Sequence, residues 1–156
     1  MILILVALIC GSDGSLNEKV VEFARSKLGQ QVGNGQCNAL AVEALRHSGG
    51  RRRGAREGIW GDELESLRDV KPGDILQFEN VVFISRRLQD DGSLVIQTRK
   101  LPHHTAIIAQ VRKRGTKPIL VILHQNVDNN PIVQEWTIDM AEKKRGSVKG
   151  YRPLAD

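Results

Sequence analysis

Val32-Gly33-Asn34-Gly35-Gln36-Cys37-Asn38-Ala39-Leu40-Ala41 passes from a glycine-bearing polar loop into a run of small helix formers. Cys37, Leu40, Ala41, Ala44, Leu45 and Ser48 recur at helical spacing, so a helix opens near Cys37 and ends at Gly49-Gly50. A thiol in the first turn of a helix meets the positive end of the macrodipole and unpaired N–H groups, which favour thiolate over thiol. A small buried cysteine is the commoner fate of this residue type. Here the Gly33-Asn34-Gly35-Gln36 lead-in is too polar and flexible for core packing, so Cys37 is read as a nucleophile.

Upstream, Ser15 with Glu18 forms a capping box that opens a helix running to about Leu28. Val20, Val21, Ala24 and Leu28 lie on its apolar side, and Gly29 stops it. After Trp60 the pattern becomes that of strands. Lys71-Pro72-Gly73-Asp74 is turn chemistry leading into a strand at 75–78, with further strands at 81–85, 94–98, 105–111, 119–124 and 132–137. Gly115 to Pro118 and Asn129-Asn130-Pro131 read as hairpin connections. Residues 139–144 read as a short helix and 148–152 as an edge strand closing the sheet. Helices first and strands afterwards predict an α+β domain with an antiparallel sheet.

The chain has 156 residues, 40% apolar and 26% charged, which fits one globular domain over 15–156 and excludes a disordered chain. Residues 1–14 form an apolar leader that resembles the core of a secretory signal, although no Lys or Arg precedes it. Export to the periplasm or beyond is the expectation, with the cytoplasm as the alternative. The leader is far shorter than the roughly 20 residues that span a bilayer, so no integral membrane domain is expected. Bulky Ile9 argues against a lipoprotein box at Cys10, and two cysteines make no disulfide framework. The +5 charge lies in three clusters, around Arg51-Arg52-Arg53, Arg112-Lys113-Arg114 and Lys143-Lys144-Arg145. Each sits in or beside a turn without interleaved aromatics, so nucleic acid is not an expected partner.

Chemistry at Cys37 needs a base, an orienting group and oxyanion donors. His103 and His104 point to opposite faces of a strand, and His104 is chosen to face Cys37. Adjacent histidines on one strand cannot chelate one ion, so no metal or other cofactor is implied. Leu123-His124-Gln125-Asn126 closes a very apolar strand, where a group holding the His104 imidazole is expected; His124, Gln125 and Asn126 all qualify. The Cys37 N–H and the side chains of Gln31 and Gln36 are oxyanion donors by type. Trp60 either lines a substrate cleft or caps the core. His47 is read as a basic residue at a helix C-terminus.

Together, Gly35-Gln36-Cys37, Lys71-Pro72-Gly73-Asp74-Ile75, His104-Thr105-Ala106-Ile107-Ile108 and His124-Gln125-Asn126 resemble the papain-like superfamily with its CHAP amidases and NlpC-type wall hydrolases. That resemblance implies Cys37 as nucleophile, His104 as base and Asn126 as auxiliary amide. His124 stands where CHAP domains carry an acid, which brings the set closer to NlpC-type sites, whose third group is often histidine. Gln31 has the spacing of the oxyanion-hole glutamine of papain. The global likeness is closer still to a cysteine-proteinase-like domain of fungal actin-patch proteins. That domain shares the Gly-x-Cys start, Trp60-Gly61, Pro72-Gly73-Asp74-Ile75, His104-Thr105-Ala106, Gln125-Asn126 and Tyr151-Arg152-Pro153, in this order over roughly residues 16 to 153. The resemblance implies hydrolysis of amide bonds, in peptides or peptidoglycan. A binding or scaffold module that keeps the fold without turnover is the alternative.

Overall fold

In the computed structural model, which describes residues 14–53, 56–112 and 116–156, the Ser15 capping box forms as the spacing predicts. Ser15 Oγ accepts from the Glu18 N–H, and Glu18 Oε2 accepts from the Ser15 N–H at 2.7 Å. Helix α1, Leu16–Ser26, follows and buries Val20 and Ala24. Leu28, expected on its apolar side, falls past the helix end and is exposed. Helix α2, Cys37–Ser48, begins at the thiol and stops at Gly49, whose left-handed φ of 73° suits a residue without Cβ. Residues 1–13 of the apolar leader, with Cys10, lie outside the described residues, as does Gly115 of the Gly115 to Pro118 connection.

The strands are β1 (Gly50–Arg51), β2 (Asp62–Glu63), β3 (Ile75–Leu88), β4 (Leu94–Arg112), β5 (Ile119–His124), β6 (Gln134–Asp139), β7 (Lys143–Arg152) and β8 (Leu154–Ala155). Six of them form one sheet in the order β2-β7-β3-β4-β5-β6, antiparallel in every pairing, while β1 pairs β8 apart from it. The architecture is α+β.

Where six strands were read between 75 and 137, four form, because two long strands each absorb two predictions. Strand β3 runs through 75–78 and 81–85 by way of a bulge at Asn80, whose φ is 52°. Gly146 backs the bulge so closely that a Cβ there would collide with the Asn80 carbonyl oxygen. Strand β4 runs through 94–98 and 105–111 across Pro102, which is tolerated because β5 pairs β4 only from Ile107 onward. The expected edge strand at 148–152 lies inside the sheet instead, as β7, with β2 paired outside it. The expected helix at 139–144 shrinks to one 3₁₀ turn, Met140–Glu142, capped by Asp139.

Alternation along the strands builds two cores. On the helix side, Leu40, Ala41 and Ala44 of α2 pack with Ile107 and Ala109 of β4 and Leu123 of β5, all buried. The small side chains of α2 bring its N-terminus close to β4. On the opposite side, Phe78, Ala106, Ile108, Ile122, Ile138 and Met140 form the second core. Each fully buried Leu, Ile or Phe contributes roughly 1.5–3 kcal/mol. No helix among the described residues is long and apolar enough to cross a membrane.

Candidate active site

Cys37 is the first residue of α2 and is partly accessible. Gln36 caps the helix without a side-chain bond, leaving the Cys37 and Asn38 N–H groups aimed at the sulfur. The loop ahead of the thiol is clamped by Gln125, which is fully buried. Gln125 Nε2 donates to the carbonyls of Gln36 at 2.7 Å and Val32 at 2.9 Å, while its Oε1 accepts from the Val32 N–H at 3.1 Å. Both of its N–H donors are therefore spent on the cysteine loop, which leaves none for an oxyanion. Asn126 Nδ2 donates to Gln36 Oε1 at 3.1 Å, so this residue too supports the cysteine loop rather than an imidazole. Gln31 packs beside Gly35, and its Nε2 donates to the Gly33 carbonyl at 3.3 Å.

Of the three strand-end candidates, only His124 meets His104. His104 Nε2 and His124 Nδ1 lie 3.2 Å apart, and the two rings cross at 76°. His104 is 3% exposed and touches Phe78, while His124 is 1% exposed and stands edge-on to Trp136. Burial, and secondarily the charge of His103, pushes His104 down to about 4. Burial, then the neighbouring His104 and Arg99, pushes His124 down to about 3. Both imidazoles are neutral near pH 7, and one proton serves the bond between them.

Sequence reasoning assigned His104 to the Cys37 face of the sheet. Alternation in the structure gives that face to His103, and the reason is parity. Thr105 shares the helix side with Ile107 and Ala109, whereas His104 shares the opposite side with Ala106 and Ile108. His103 is half exposed and its Nδ1 lies 2.8 Å from Glu79 Oε1. The sulfur of Cys37 faces the Thr105 N–H, which belongs to the peptide unit joining His104 to Thr105. Because β5 ends at His124, His104 stands at the open rim of the sheet, where no neighbouring strand on that side separates the two faces. A groove bordered by Lys100, His103, His104, Asn126 and Asp128 reaches it there. Among the described residues no hydrogen bond joins the sulfur to either histidine. Burial pushes the thiol up, while N–H groups of Thr105, Asn38 and Cys37 and the Thr105 hydroxyl hold it back.

Trp60, considered for a substrate cleft, is completely buried and donates its indole N–H to Gln77 Oε1 at 3.1 Å. It is a core residue. His47 stacks on Phe23 at the end of α2, away from the thiol. Sequence reasoning missed Thr105, Gln77 and Glu79. Their signal was available: single polar residues set in apolar strands, at positions 77 and 105, on the parity of the helix-side core.

Residues 11–156 match the family model described as the AIM3/BBC1 cysteine proteinase-fold domain. Among curated proteins, a relative is Altered inheritance of mitochondria protein 3 of Debaryomyces hansenii, 29% identical over 154 residues. That match takes in 88% of this chain and 16% of the relative, so the chain spans about a sixth of the relative's length. No solved structure matches the chain.

Proposed function

We propose that this chain, which belongs to the AIM3/BBC1 cysteine proteinase-fold family, hydrolyses peptide amide bonds with Cys37 as nucleophile and His104 as base. The observation that carries the reading is the seat of Cys37 as first residue of α2, facing the Cys37, Asn38 and Thr105 N–H groups, while His104 Nε2 is held 3.2 Å from His124 Nδ1. When His104 donates at Nε2, its Nδ1 is left with a bare lone pair, the form that accepts a proton. Nucleophile–base hydrogen bonds are often long before substrate arrives and tighten in the complex.

As sulfur attacks the carbonyl carbon, the S–H proton passes around the open rim of the sheet to Nδ1 of His104, relayed by one water because the two side chains lie on opposite faces. The oxyanion forms beside the Cys37 and Asn38 N–H groups, with the Gln31 amide as a further donor. His104 passes the proton to the leaving amine, and the C–N bond breaks to leave a thioester. Water, giving its proton to His104, then cleaves the thioester and restores the thiol. Peptides are the proposed substrates, since neither the family nor the relative lends support to peptidoglycan or export.

One observation favours a second reading, a binding module without turnover. Burial leaves both histidines very weak bases, and among the described residues His124 Nε2 has no partner to stabilise a charge. Mass spectrometry of a defined peptide mixture decides between the two. The hydrolase reading expects new peptide termini from the parent, a loss of about 10²–10⁴-fold in His104→Ala and none detectable in Cys37→Ala. His103→Ala should stay within about tenfold of the parent. Failure of the parent to cleave or acylate leaves the binding module.

A further inference from the structure

Two hollows meet on the flank of β4. The groove that reaches His104 is bordered by Lys100, Val127 and Asp128, and the same three residues wall a second hollow that continues to Arg99 and Trp136. Together they make one path from the imidazole to a place with two cations and an aromatic ring. Arg99 is planted there. Its guanidinium carbon lies 4.5 Å from the centre of the Trp136 ring, and Nη1 donates to the Thr137 carbonyl at 3.3 Å. The Nε and Nη2 edge, the fork that matches a carboxylate, bonds nothing among the described residues. Lys100 is exposed and forms no ion pair among them. Acids are near: Asp128 stands at the shared wall, and Asp139 and Glu142 border a smaller hollow with Arg99. None of the three is ion-paired to Arg99 or Lys100, so both cations face the path uncommitted.

We propose that Arg99, Lys100 and Trp136 form a subsite for an acidic side chain, Asp or Glu, of the peptide bound in this groove. The proposal rests on the reading of the groove as a peptidase site and names its substrate class. The methylene part of the side chain lies against the indole, and its carboxylate meets the guanidinium fork and the ammonium. Lys100 and Arg99 precede His104 by four and five residues on the extended β4. At about 3.3 Å per residue that is a separation of roughly 13 to 17 Å, which an extended peptide covers in about as many residues. The carboxylate is therefore expected about three to five positions from the bond attacked. Docking it has a second effect. The Arg99 charge helps hold His124 down, and a carboxylate on Arg99 offsets it, so the histidine pair becomes a better base when such a peptide is bound.

The test titrates two fluorescein-tagged peptides, alike except for a run of Glu in one and of Gln in the other, against the full chain carrying Cys37→Ala, read by fluorescence anisotropy. The Glu peptide is expected to bind roughly three- to thirtyfold more tightly, the scale of two exposed ion pairs. That margin should shrink as salt rises from about 50 to 500 mM. Arg99→Gln with Lys100→Gln is expected to bring the Glu peptide to the affinity of the Gln peptide. Lys144→Gln with Arg145→Gln, on exposed positions of β7, is expected to leave the margin in place. Should the Arg99 change fail to fold, Lys100→Gln alone decides by removing part of the margin. Equal affinity of the two peptides, binding of neither, or a margin that the Arg99 and Lys100 changes leave intact overturns the proposal. Cleavage of a defined peptide mixture by the unaltered chain keeps the two readings apart. Products with no acidic residue near the cut sink the subsite and keep hydrolysis. A Glu margin in a chain that cleaves nothing loses hydrolysis and keeps the subsite as part of a binding groove.

Discussion

Acidifying the protein from pH 7 to about 4.5 is expected to remove on the order of 5 kcal/mol of folding stability, mostly through two buried imidazoles. Folding lowers His104 from the ordinary 6.5 to about 4 and His124 to about 3, through burial first. The unfolded chain therefore binds protons that the folded chain refuses. Stability is whole above about pH 6.5 and drains as the pH falls toward the folded values. A loss of that size is a large fraction of the 5–15 kcal/mol typical of a domain, so unfolding near pH 4.5 is the expected outcome. Urea titrations at the two pH values measure it. A double variant, His104→Gln with His124→Asn, should flatten the dependence, since neither amide titrates. A parent whose stability changes by less than about 1 kcal/mol would show that the pair is not buried and neutral as described.

Asp74→Ala is expected to cost about 3–5 kcal/mol, the scale of breaking a buried ion pair from one side. The carboxylate is fully buried and takes bonds from three separate parts of the chain. Oδ1 accepts from Asn17 Nδ2 at 2.9 Å and Arg152 Nε at 3.2 Å, and Oδ2 accepts from the Lys71 N–H and Arg152 Nη2, both at 2.9 Å. Truncation leaves the Arg152 guanidinium facing an emptied polar pocket and unties α1 from the last long strand. Thermal denaturation should show the melting temperature lower by roughly 10 °C, with part of the loss recovered in Asp74→Asn. A variant that melts with the parent would reduce this cluster to local turn chemistry. Local chemistry is what the Lys71-Pro72-Gly73-Asp74 motif suggests by itself; the long-range role comes from Arg152, 78 positions on in the chain.

Helix α1 with its cap, the start of α2 at Cys37 and the extent of β5 were all legible, because each is written in adjacent residues or a short period. The edges of the strands were less so. Asn80 and Pro102 look like strand breakers in a linear reading, yet one makes a bulge and the other an unpaired edge, and both depend on what the neighbouring strand does. The same holds for the site. Residue type and local pattern determined that a thiol would open a helix, that two histidines would share a strand and that a polar triplet would end the next one. Which member of each set meets which partner depends on side-chain parity at a sheet rim and on bonds between residues as far apart as 32 and 125. Those bonds gave Gln125 to the cysteine loop, His124 to His104 and His103 to Glu79. Periodicity says which residues share a face, whereas only the packed sheet says what each face looks upon.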